Sequence, residues 1–144
     1  MYVHRVDFTK VKKSLRLMKN NLTNRFERIY FIYKIYLMEL SETAIQEELA
    51  SKEWSLTEDE KNTIIEIVVK REELETAIKA NILEPLRWER FNTMERAILL
   101  NGAAEILLFG NIKKVVINES IEHAKRYADF NSKKLINALL DKIK

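Results

Sequence analysis

The chain contains no cysteine. That excludes disulfides, thiol nucleophiles and cysteine-based zinc sites, and it fits a reducing cytoplasm. Only two glycines and one proline occur among 144 residues, too few for a β-protein built on tight turns. No segment alternates apolar and polar residues at period two, while Leu, Glu, Lys and Ala are common. These features predict an all-α chain. Nothing approaches the roughly 20 apolar residues of a membrane helix; the nearest run, Ile29 to Met38, is broken by Lys34. The first residues show no apolar core followed by small residues, so no secretory signal is expected and the expected location is cytoplasmic. A Gly-rich phosphate loop, a nucleophile elbow and a Cys–His pair are all missing, so neither an enzyme nor a cofactor is expected. Of the two histidines, His4 lies near the start. His123 follows Glu119 by four residues, which puts both on one helix face. A third metal ligand is not evident, so the pair reads as an exposed ion pair. The alternative is that His123 covers an edge of the core.

What is present is an uneven charge. The net charge is +3, but residues 1–34 carry nine Lys or Arg against two acids, and residues 39–62 carry eight acids against two bases. A basic beginning followed by an acidic block suits a polyanion partner on one side of the fold. Solvated helix faces would give the same numbers, and charge alone favours that plainer reading.

Taken in order, residues 1–21 form a basic arm. Thr9 could cap a short helix there, with Val11, Leu15 and Met18 on one face. Either a docked extra helix or a tether adding phosphate contacts is open. Asn24 to Leu40 is a helix apolar nearly all round, hence central and buried. A short helix over Ala44 to Ala50 follows, and Trp54 is expected to anchor the next loop in the core. Thr57 and Glu60 form a capping box opening a helix that runs to about Leu83, bends near Arg71 and is stopped by Pro85. Trp88 reads as a plug between two halves. Asn92 and Glu95 repeat the capping-box pattern ahead of a helix from Thr93 to Phe109, closed by Gly110. Asn101 falls inside this helix and, if buried, needs a hydrogen-bonding partner.

The last stretch holds two amphipathic helices. Ile117, Ile121, Ala124 and Ala128 share one face; Ser132 stands where an N-cap belongs; Leu135, Ile136, Leu139, Leu140 and Ile143 form the second stripe. The identities carry more than the periodicity. V-x-I-N-E-x-I-x-x-A-K-x-Y from Val115 to Tyr127, then Ser132 and Lys134, then N-x-x-L-D-K-I from Asn137 to Ile143, resembles the C-terminal signature of the NusB family of transcription antitermination factors. The segment MERAILLNGAAEILL is similar to another family stretch, with Glu105 in its acidic position, and WERF resembles a shortened form of the family's connector. At the start of the first long helix the family has an arginine-rich run, of which this chain keeps Arg25 and Arg28.

The resemblance implies a fold of two three-helix bundles, about 22–84 and 88–144, with the N-terminal segment as an extra. It also implies RNA binding. The expected partners are the boxA element of ribosomal RNA leader transcripts, the small-subunit ribosomal protein NusE and the transcription elongation complex; a homodimer is also open. By the resemblance, Arg25, Arg28, Lys125, Ser132 and Lys133 are the positions expected to face RNA; the two arginines suit this because guanidinium groups match phosphate geometry and stack on bases. Glu95 is the expected contact for the basic protein partner. Asn118, Glu119 and Asn137 match the signature but read as caps or core hydrogen-bond partners. Two alternatives stay open: a helical adaptor that binds only protein, and an accessory relative of the NusB-like domain found in ribosomal RNA cytosine methyltransferases.

Overall fold

The computed structural model describes residues 23–129 and 131–144. The basic arm, with its expected helix after Thr9, and His4 lie outside the described residues. Among those described there are seven α-helices, one 3-10 turn and no strand. The helices are α1 (Thr23–Met38), α2 (Glu42–Ala50), α3 (Glu58–Val69), α4 (Arg71–Lys79), α5 (Thr93–Leu107), α6 (Lys113–Tyr127) and α7 (Ser132–Lys142), with the 3-10 turn at Trp88–Arg90. No described helix is long and apolar enough to cross a membrane.

The centre of the molecule is α5. Every residue from Thr93 to Glu105 is buried except Glu95 and Arg96, so this helix has no solvent face along most of its length. It packs against α1, α4, α6 and α7. One apolar cluster runs from Phe26 to Ile143 and draws on both expected sub-bundles. Close approach of α5 and α7 requires Gly102: a Cβ there would stand 2.8 Å from Cδ2 and 2.9 Å from Cδ1 of the buried Leu140.

Thr57 and Asn92 cap their helices as expected, but the expected box at Thr57 is only half made, since Glu60 does not accept from the Thr57 backbone N–H. Thr57 accepts from the Glu60 N–H at the start of α3. At α5 the box is reciprocal: Asn92 accepts from the Glu95 N–H at 2.8 Å, and Glu95 accepts from the Asn92 N–H at 2.9 Å. Gly110 adopts φ +63° just beyond α5, a left-handed conformation that costs glycine nothing. Trp54 is buried against Phe31 and donates its indole N–H to Glu48 at 2.8 Å. Trp88 is buried edge-on to Tyr36 and Phe91. Tyr36 itself lies under the guanidinium groups of Arg71 and Arg96 and donates to Glu75. That cluster ties the end of α1 to α4 and the start of α5.

Two boundaries differ from expectation. The helix opened by Thr57 breaks at Lys70 (φ −96°, ψ 8°), close to the expected bend, but its second part ends at Lys79 rather than near Leu83. Asn81 turns its side-chain amide back onto the Ala77 carbonyl at 3.1 Å and terminates the last turn. Ser132 is the first residue of α7 rather than its N-cap; Asn131 precedes it with no capping side-chain bond. The Ser132 hydroxyl is drawn to another helix instead.

Candidate nucleic-acid interface

The opening of α1 lies against the second half of α6 through an aromatic seam. Phe26 sits 5.0 Å from the His123 ring and 4.9 Å from that of Tyr127, and Tyr30 meets His123 tilted and Tyr127 edge-on. Such tilted and edge-on pairs suit the ring quadrupoles and fix the helices in register. His123 is therefore not half of an exposed ion pair with Glu119. It is 6% exposed, and its Nε2 has no hydrogen-bond partner among the described residues. Burial, with a smaller contribution from the nearby Arg126 charge, lowers its pKa to about 3, so the ring is neutral. The alternative reading, cover for the core edge, matches what the ring does. Among the described residues no group of three or more His, Cys, Asp or Glu is arranged to hold a metal.

Above this seam the two expected arginines meet a buried carboxylate. Arg25 grips Glu105 side-on, with Nε 2.7 Å from Oε2 and Nη2 2.5 Å from Oε1. Arg28 donates its Nε to the Asn101 amide oxygen at 2.6 Å and brings Nη2 to 3.2 Å from Glu105. Asn101 donates to the same carboxylate at 2.8 Å, and Asn111 donates to it at 2.9 Å. Asn111 reaches that position because the chain reverses at Gly110, where its backbone N–H also meets the Glu105 carbonyl. Burial alone would push the Glu105 carboxyl upward; the bond and charge of Arg25, the charge of Arg28 and the Asn111 bond more than reverse this and hold it below the usual carboxylate range. The Arg25 pKa is raised, first by its bond to Glu105. Arg28 is lowered by burial, against the opposing charge of Glu105. Side-chain exposure is 23% for Arg25 and 13% for Arg28, so Arg25 is the more accessible of the two.

The turn between α6 and α7 is fixed to the start of α5. Ser132 is buried and donates its hydroxyl to Glu95 at 2.6 Å, while Asn92 donates to Asp129 at 3.3 Å. Both oxygens of Glu95 are thus engaged, one with the Asn92 N–H and one with Ser132. Ser132 and Glu95, expected at the surface toward RNA and the protein partner, face each other instead. The nearby cations remain outside: Lys125 is exposed and bridges to Glu122 at 3.1 Å, Arg126 is exposed, and Lys133 is half-buried at the first turn of α7.

Arg25, Phe26, Glu119, Glu122, His123 and Arg126 line a cleft of about 200 Å³. The structure therefore brings the Arg25 end of α1 and the basic end of α6 together. Lys133 lies further off. Its neighbour Ser132 is anchored on Glu95 and Arg25 on Glu105, ten residues apart on α5 and hence about 15 Å along its axis. Those ten residues fall about 80° short of three full turns, so the two anchor points leave α5 within a quarter turn of each other. The sequence reading missed Glu105 as the junction and Arg126 as a wall of the cleft. One signal was available for Glu105. Asn101, already marked as needing a partner, lies four residues before it and therefore on the same helix face.

Comparison with known proteins agrees with the resemblance. The model of the NusB family matches residues 20–144. Curated proteins named "Transcription antitermination protein NusB" are similar over shorter stretches. The Campylobacter lari protein is 51% identical over 51 residues, covering 35% of this chain and 39% of that protein. The Campylobacter hominis protein is 44% identical over 61 residues, covering 42% and 47%. The Wolinella succinogenes protein is 36% identical over 74 residues, covering 50% and 53%. The chain thus spans about two-fifths to one-half of the length of these relatives. The family match, covering all seven helices, carries the assignment: the chain belongs to the NusB family.

Proposed function

We propose that this protein is a non-catalytic, RNA-binding transcription antitermination factor of the cytoplasm. It binds the boxA element of nascent ribosomal RNA leaders together with the ribosomal protein NusE, and acts within the transcription elongation complex. The observation that carries this reading is the seam of Phe26, His123 and Tyr127, which sets Arg25 beside the basic end of α6. Single-stranded RNA offers phosphates to such cations, and its unstacked bases can lie against guanidinium faces. Within this reading Arg25, Lys125 and Lys133 contact RNA. Arg28 and Ser132 act from beneath, Arg28 by holding Glu105 and Ser132 by fixing the α6–α7 turn. Glu95 supports that turn, and the acidic block of residues 39–62 is the surface offered to the basic ribosomal protein.

The test is a titration of labelled boxA RNA, with and without NusE, against a scrambled RNA of the same length. The expected result is tighter binding to boxA, increased further by NusE. Equal binding to the two RNAs would end this reading.

A protein-only adaptor is favoured by one observation: Glu105 already neutralises part of the arginine charge. Charge reversal at Lys125 and Arg126, both exposed and outside the core, separates the two. RNA affinity falls in the first reading, and nothing changes in NusE binding in the second.

A further inference from the structure

An acid beneath an RNA-facing cation pair should, at first sight, weaken binding by repelling phosphate. The geometry around Glu105 points the other way. Its side chain is only 1% exposed and lies under guanidinium groups that are more exposed than it is. An approaching anion meets Arg25 before it meets the carboxylate. Glu105 takes the Nε and one Nη2 hydrogen of Arg25; of the five N–H donors of an arginine, three remain, and the rigid fork aims them away from the bond already made.

We propose that Glu105 is a positioning residue for RNA: its carboxylate clamps Arg25 so that the outer edge of the guanidinium is set to receive a backbone phosphate. This rests on the RNA-binding reading above and deepens it. A further observation supports the clamp. The carboxylate is itself held from three other sides, by Arg28, Asn101 and Asn111, so it cannot swing with the arginine. Glu119, on the wall of the cleft, adds a second negative charge near Arg25, so what favours a phosphate here is the direction of the outward N–H donors and not a net positive charge. An arginine already ordered by two bonds loses less side-chain freedom on binding than one moving in water.

The experiment is a fluorescence titration of labelled single-stranded boxA RNA against wild type and Glu105→Gln at several salt concentrations. Removing the acid should weaken binding about tenfold, as for loss of a charge-assisted contact. The slope of log affinity against log salt should become shallower by about 0.7, one phosphate contact on a single strand. Asn111→Ala, which keeps the carboxylate and removes one of its donors, should shift both quantities in the same direction by less. Tighter binding of Glu105→Gln would overturn the inference, since it would mean that the carboxylate merely repels RNA. Weaker binding with an unchanged salt slope would also overturn it, since the residue would then be structural only. Should Glu105→Gln fail to fold, Asn111→Ala decides on the same two quantities. Wild-type protein that does not distinguish boxA from scrambled RNA overturns the function itself, and the positioning role with it.

Discussion

His123 shows how far a single residue can depart from what its neighbours in sequence suggest. Four residues after Glu119, it looks like a surface ion-pair partner. In the fold, Phe26 and Tyr30 of α1 close over it, and its pKa falls to about 3. Unfolded chain takes up a proton near the ordinary histidine value of 6.5, while the folded chain resists until about 3. The stability due to the neutral ring is therefore complete above pH 6.5 and is lost as pH falls through that window, by up to about 1.4 kcal/mol per pH unit. Glu27 has the opposite sign, because burial pushes its carboxyl up, so the net slope of wild type mixes the two. The difference between variants isolates the histidine. Denaturant unfolding of wild type and His123→Leu between pH 7 and pH 5 should show wild type losing more stability, by about 1 kcal/mol or more. Parallel curves would show that the ring is not held neutral. The sequence offered cover of the core edge only as an alternative, because the residues that bury the ring come from the other end of the chain.

At the scale of helices, most of the fold was legible. The N-cap at Thr57, the capping box at Asn92, the left-handed Gly110, the bend near Lys70 and the two stripes of α6 and α7 all depend on residues close together in sequence, so local rules reach them. Asn101 was legible in part: its need for a partner could be stated, but the partners, Arg28 and Glu105, could be named only once α1 lay against α5. Ser132 was read as a cap because local logic could not know of the Glu95 carboxylate across the helix pair. The contact of α5 with α7 was not read at all. By helix propensity alone, alanine in place of the mid-helix Gly102 would stabilise by about 1 kcal/mol. Packing reverses that sign, since a Cβ would overlap both methyl carbons of the fully buried Leu140. Gly102→Ala should therefore destabilise the protein by about 1–2 kcal/mol, with Gly102→Val worse. The double variant Gly102→Ala with Leu140→Ala should show a coupling energy of about 1 kcal/mol, because the smaller side chain relieves the overlap. Thermal unfolding of the four proteins measures it. A stabilising Gly102→Ala would mean that α7 moves away easily.

For the whole molecule the question is whether cations scattered along the sequence become one surface. The end of α6 and the start of α1 do meet, around the cleft that Arg25 shares with Arg126. The start of α7 joins them through α5, which anchors Arg25 at Glu105 and the Ser132 turn at Glu95. Family resemblance could propose that arrangement, and periodicity could not, because charge along a helix says nothing about which helix lies beside it. The most direct test is to follow backbone amide signals by NMR while boxA RNA is added. Residues 25–28 of α1 and residues 125–133 of the α6–α7 turn should shift together, with one shared saturation curve. Shifts confined to only one of these segments, or to the acidic helices α2 and α3, would contradict it.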